Sequence, residues 1–298
     1  MSDRFLITKP REVFQVVNIA TLLNRMLTIY RQERGFVWTG LFGIVLGLIG
    51  VCFFLLNGNE IPPEGKWTKV ITFDVGIGIF SLTTAVVAPW INMTMRQRRW
   101  FTVTFIISAW IAYFIETVQN VRGFDPRFTR AGTIWDIALG MVLGVVCVVI
   151  AGCVLFALVR VWKEKDKDQS GLQLSLVYGF ICNCLGILSG VWMILLQGRV
   201  TGDGVDIMAL HFLGFHGYQA IPIVFWLLKQ AQATNIRRTV HLTGCAWIGV
   251  YFALLLQFVF GYAIIQMTWY TLAGLAGLAL YCLIVLYSFW RLWRKARI

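Results

Sequence analysis

The sequence predicts an all-α integral membrane bundle of about eight transmembrane helices with an N-terminal amphipathic interfacial helix. Three observations predict it. Of 298 residues, 58% are hydrophobic and 13% charged, a balance too apolar for a soluble domain. The apolar residues gather in eight runs, 36–56, 68–93, 101–119, 133–159, 171–197, 207–228, 240–265 and 269–290, each near or above the ~20 residues that a helix needs to cross a bilayer. Lys and Arg sit in short clusters between those runs, which is how membrane topology is encoded. The net charge of +12 therefore does not indicate a nucleic-acid partner.

Taken in order, residues 1–35 read as a cytoplasmic amphipathic segment, 36–290 as the transmembrane bundle and 291–298 as a basic cytoplasmic tail. From Pro10 to Arg31, the polar residues Arg11, Gln15, Asn18, Thr21, Arg25, Thr28 and Arg31 recur every three or four positions. That spacing makes one polar stripe on a helix. A helix on the cytoplasmic membrane surface, its Arg residues near anionic headgroups, satisfies it; a packing helix at a subunit contact is the alternative. A charged segment precedes the first run, so the N-terminus does not resemble a cleavable signal peptide. The seven cysteines all fall in apolar runs and include no CxxC, which suits small core residues better than a disulfide framework or zinc ribbon. Gly40, Gly43, Gly47 and Gly50 in the first span, with Gly140 and Gly144 in the fourth, are expected to permit close helix approach. No sequence repeat between the two halves is evident, so the inverted-repeat plan of many transporters finds no support.

Twenty of the 26 Lys and Arg residues fall on one side of the eight-span arrangement and six, Lys66, Lys69, Arg122, Arg127, Arg130 and Arg199, on the other. Short cytoplasmic segments retain positive charge, so both termini are expected in the cytoplasm. At ~1.5 Å of rise per residue, Asp74 lies about two turns inside the outer end of its span, and Glu116 and Asp136 about one turn inside theirs. Gln119 belongs to the same outer half, and Arg122 to the loop above it. Ionisable groups are costly in a bilayer, so a polar pocket opening to the extracytoplasmic side accounts for them. The alternative is that the acids pair with Arg122 or Arg130 only to fasten helix ends.

The sixth run, 207–228, carries His211, His216, Tyr218 and Gln219. Five residues separate the two histidines, which turns them about 140° apart on a helix, so they do not chelate one metal. Tyr218 shares the face of His211, and Gln219 lies nearer His216. His211 with two acids would suit a metal hydrolase, but no ligand spacing specifies one. Bis-histidine haem lacks a partner histidine at matching depth. No cofactor is therefore named. Proton coupling by a histidine beside carboxylates, ligand binding without titration, and histidines merely hydrogen-bonded in the bundle all stay open. Pro222 is expected to free the Tyr218 carbonyl and kink the helix.

Two segments, QNVRG at residues 119–123 with Phe128 downstream, and HFLGFH at 211–216 continuing to Gln219 and Pro222, resemble a group of uncharacterised bacterial polytopic membrane proteins. In that group a Ser-His pair precedes the phenylalanine, where this chain has Pro126 and Arg127. The resemblance implies a multi-pass protein of the bacterial inner membrane. The functional expectation is binding of a small ligand, ion or proton in the extracytoplasmic-facing pocket, in transport or sensing, by Asp74, Glu116, Gln119, Arg122, Asp136, His211, His216, Tyr218 and Gln219. A membrane-embedded enzyme using the same His and carboxylate groups, and a structural protein without ligand, are the alternatives.

Overall fold

The computed structural model describes residues 19–163, 170–201 and 205–296. These form nine α-helices and two short antiparallel hairpins. In chain order they are α1 (Ile19–Gln32), α2 (Arg34–Asn57), β1 (Glu60–Ile61), β2 (Gly65–Lys66), α3 (Trp67–Val87), α4 (Met95–Val121), α5 (Ile134–Trp162) and α6 (Ser170–Leu195). There follow β3 (Val200–Thr201), β4 (Val205–Asp206), α7 (Met208–Gln230), α8 (Ile236–Val259) and α9 (Trp269–Ala296). The expected amphipathic helix is present from Ile19; its part before that residue lies outside the described residues. Arg291, Arg294 and Lys295 continue α9 as helix.

Seven helices, all but α1 and α7, are long and apolar enough to cross a membrane. The chain is a polytopic, α-helical membrane protein. The sixth expected span, 207–228, is a helix of 23 residues, but His211, His216, Gln219 and Lys229 leave it less apolar than the seven.

Three helix ends depart from the apolar runs for local reasons. α3 stops at Val87 because Pro89 lies in a 3₁₀ turn, Ala88–Trp90. α4 begins at Met95, well before residue 101, because Thr94 and Gln97 form a reciprocal capping box; Arg96, Arg98 and Arg99 kept that turn out of the apolar run. Arg98 pairs there with the buried Glu33. α8 stops at Val259, and Gly261 turns the chain at φ 79°.

The described residues form two compact units, one of Ile19–Cys153 and one from Val154 onward, the division falling within α5. In the first, α2 and α3 approach through glycine: a Cβ on Gly40 would stand 2.9 Å from the Gly78 carbonyl oxygen. Ala112, Ile115, Leu143 and Val146 make the core between α4 and α5. Gly144 does not serve the expected close approach, since a Cβ there would meet nothing within 4 Å. In the second unit α6 and α7 approach as closely, with a Cβ on Gly214 only 2.4 Å from Gly186 Cα.

The helices α2 to α5 and α6 to α9 follow one plan, although no repeat is evident on reading the sequence alone. After α1, the elements α2 to α5 run helix, hairpin, helix, helix, loop, helix, and α6 to α9 run the same. LLNG at 55–58 recurs as LLQG at 195–198, 140 residues on. The hairpins share their register, Glu60 opposite Lys66 and Val200 opposite Asp206. Both are closed by the same bond, Trp67 N to Asn59 O at 2.9 Å and Ile207 N to Arg199 O at 2.8 Å. In α3, Val70, Asp74, Gly78, Phe80, Ser81, Thr84, Ala85 and Val87 are buried. The residues 140 further on, Leu210, Gly214, Tyr218, Ala220, Ile221, Val224, Phe225 and Leu227, are buried in α7.

The third helices repeat most clearly. YFIETVQNVRGF at 113–124 corresponds to YFALLLQFVFGY at 251–262. Gly123 and Gly261 both take positive φ, 87° and 79°, and Phe124 N to Gln119 O matches Tyr262 N to Gln257 O. Tyr113 Oη donates to Thr39 O at 3.2 Å, and Tyr251 Oη to Leu185 O at 2.7 Å. Tyr113 thus ties α4 to α2, and Tyr251 ties α8 to α6.

Candidate functional site

In the first unit, charged and amide side chains gather at the hairpin end. Gly65 presses against the end of α4, where a Cβ would stand 2.3 Å from Asn120 O. That contact sets Glu64 over the loop between α4 and α5. Its carboxylate accepts from Thr129 Oγ1 at 2.6 Å and from the backbone N–H groups of Arg130, Ala131 and Asp125 at 2.8, 3.1 and 3.2 Å. Burial alone would raise the Glu64 pKa; these bonds outweigh it and hold the carboxyl below its ordinary value. Asp125 behaves likewise. Burial pushes it up, but Lys69 Nζ at 2.5 Å and the N–H groups of Phe128 and Arg127 hold it down.

The expected residues fall into this frame in different ways. Glu116 is fully buried, and its partner is Arg127 at 2.8 Å, not Arg122 or Arg130. Arg127 also lies over the Phe73 ring, 5.1 Å from its centre. Asp136 pairs with Arg122 at 2.6 Å and accepts from Thr133 N and Oγ1 at the start of α5. Gln119 accepts from Arg122 at 2.7 Å and donates to Asp136 O at 3.4 Å. Asp74 stands apart from these pairs. It is fully buried, Oδ2 accepts from Thr117 Oγ1 at 2.9 Å, and the buried Oδ1 has no hydrogen-bond partner.

In the second unit, His211 Nδ1 lies 2.8 Å from Gly186 O. A carbonyl only accepts, so Nδ1 carries the proton. His211 occupies the place of Ile71: a Cβ on Gly190 would meet His211 Cε1 at 3.1 Å, as one on Gly50 would meet Ile71 Cγ1 at 2.9 Å. His216 is exposed and stacks on Phe212 at 6.0 Å between ring centres. The two histidines point apart, as their spacing requires. Tyr218 is buried against Phe180, and Gln219 is half-buried. α7 runs on as helix through Pro222. The expected pocket joined these residues to the acids; the structure places the acids in the first unit and the histidine set in the second.

Tyr113 and Gln119 keep counterparts in Tyr251 and Gln257, but the charged groups of the first copy are not shared with the second. Glu116, Asn120 and Arg122 correspond to Leu254, Phe258 and Phe260, and Asp74 to Gly214. Glu64, Lys69, Asp125 and Arg127 belong to the site and were not picked out from sequence, because they lie in or beside a loop where hydropathy carries no signal. Among the described residues, no three His, Cys, Asp or Glu side chains converge as a metal site. No protein family, curated protein or solved structure matches the chain.

Proposed function

We propose that this polytopic membrane protein binds a proton, or a small monovalent cation in its place, at Asp74 in a polar pocket that opens to the extracytoplasmic side, in transport or sensing. The observation that carries the reading is the buried Oδ1 of Asp74 without a donor. A charged carboxylate oxygen removed from water and left unpaired costs several kcal/mol, and a proton or cation on it removes that cost. Thr117 donates to the other oxygen of Asp74, while Glu116 with Arg127, and Asp136 with Arg122 and Gln119, are the paired polar groups of the same unit. The distribution of Lys and Arg supports termini on the cytoplasmic side, the resemblance supports a bacterial inner membrane, and the Arg residues of α1 suit a position along anionic headgroups.

Infrared difference spectra of the purified protein test this, first on titrating pH and then on adding sodium or potassium at fixed pH. A carboxylic-acid band that changes in the wild type and in Glu116→Gln but is missing from Asp74→Asn supports the reading. If neither perturbation moves a band that depends on Asp74, the reading is wrong. A second, structural reading is favoured by the Glu116–Arg127 and Asp136–Arg122 pairs, which fasten the loop to two helix ends. It expects Asp74→Asn to change stability alone.

A further inference from the structure

The two units carry a buried polar side chain at corresponding levels but on different helices. The offset of 140 residues sets Asn183 of α6 on Gly43 of α2, and Gly214 of α7 on Asp74 of α3. Positions 43 and 74 are neighbours, because a Cβ on Gly43 would stand 2.6 Å from Asp74 O. In the second unit a Cβ on Gly214 would meet Gly186 Cα at 2.4 Å and Cys182 O at 3.0 Å, so α7 has no room for a side chain there. The polar group comes from α6 instead.

This exchange also moves a tyrosine. A Cβ on Gly43 would stand 2.2 Å from Tyr113 Oη, so the glycine leaves space for that hydroxyl to reach Thr39 O. The counterpart of Thr39 is Gly179, yet Tyr251 Oη donates to Leu185 O, further along α6. Asn183 takes up the space that the first unit gives to its tyrosine. It is fully buried, and neither Oδ1 nor Nδ2 has a hydrogen-bond partner. An amide held away from water with both atoms unpaired is strongly unfavourable.

The surroundings restrict what can pair with it. Leu185 O already accepts from Tyr251, Gly186 O from Ser189 and His211, and Leu213 O from Trp247. Helices α6 to α9 contain no Asp or Glu to balance a cation. Oδ1 requires a donor and Nδ2 an acceptor, so the partner is uncharged and does both. The close approach of α6 and α7 at glycine keeps it small.

We infer that Asn183 is a ligand site of the second unit and binds a water molecule, which donates to Oδ1 and accepts from Nδ2. The repeat then carries one ligand position in each unit, acidic at Asp74 and neutral at Asn183. The second holds whatever Asp74 binds.

Radiolytic hydroxyl-radical footprinting of the full-length protein in detergent, with rapid mixing into heavy-oxygen water, tests it. Radicals formed from a bound water label the side chains around it. Cys182 and Tyr218, 1% and 0% exposed, are therefore labelled in the wild type, whereas Phe36, equally buried in the first unit, is not. Heavy oxygen enters Tyr218 later than the exposed Tyr262, because a bound water exchanges more slowly than bulk. Asn183→Leu fills the same space without a polar atom and loses the label at Cys182 and Tyr218 while helix content is kept. Asn183→Val gives the same loss and serves if the leucine variant does not fold. Cys182 and Tyr218 unlabelled in the wild type, equal label in the wild type and a folded variant, or heavy oxygen entering Tyr218 as fast as Tyr262 overturns the inference.

Discussion

Arg127 Nη2 stands 2.8 Å from Glu116 Oε2, so the loop after α4 reaches back and neutralises a carboxylate that has no exposure of its own. Removing one member of such a pair leaves the other charge buried and unmatched, which costs about 3 kcal/mol or more. Arg127→Ala is expected to destabilise by roughly that amount in thermal unfolding in detergent. Glu116→Gln in the same chain should recover a large part of it. Costs that simply add would show that the two groups are not coupled.

Glu64 and Asp125 are both held below their ordinary pKa. The unfolded chain therefore binds more protons than the folded one. Their stabilisation is complete above the unfolded values of about 4 and is lost as pH falls through the folded values. Hydrogen exchange of residues 123–133, corrected for intrinsic rate, should show protection at pH 7 that falls away progressively as pH drops below about 4. Glu64→Gln should lose part of that protection already at pH 7. Protection independent of pH would contradict the assignment.

Gly214→Ala would bring a Cβ to 2.4 Å from Gly186 Cα, backbone that cannot step aside. Separating α6 from α7 should cost about 1–3 kcal/mol. Gly144→Ala, in open space, should raise stability slightly through helix propensity. Equal melting temperatures for the two variants would count against the packing described for the second unit.

Tyr113→Phe and Tyr251→Phe each remove one hydroxyl bond to a carbonyl, of α2 and of α6 respectively. Each should cost about 1 kcal/mol. Chemical denaturation should give nearly additive values, because the two bonds lie in separate units.

The membrane class, the helix count to within one candidate span, and the burial of Asp74, Glu116 and Asp136 were legible in the sequence, because hydropathy and depth along a helix report them directly. Partner choice was not. Nothing in the spacing of Glu116 and Arg127 says that a loop with an Asp125 turn folds back to join them. The repeat was hidden for a different reason. Residues 35–58 and 175–198 agree at only seven of 24 positions, since lipid-facing sites accept any apolar side chain. What is kept is a burial pattern and a set of backbone bonds, and these become visible only in three dimensions.

The repeated third helix has a practical consequence. At each of its positions the chain already displays two side chains that the same local backbone accepts, Glu116 and Leu254, Asn120 and Phe258, Arg122 and Phe260. One half of the molecule thus serves as an internal reference for the other. Exchanging residues between the copies separates what the scaffold demands from what was added to one copy alone, and Gln119 with Gln257, unchanged in both, marks the part that neither copy has given up.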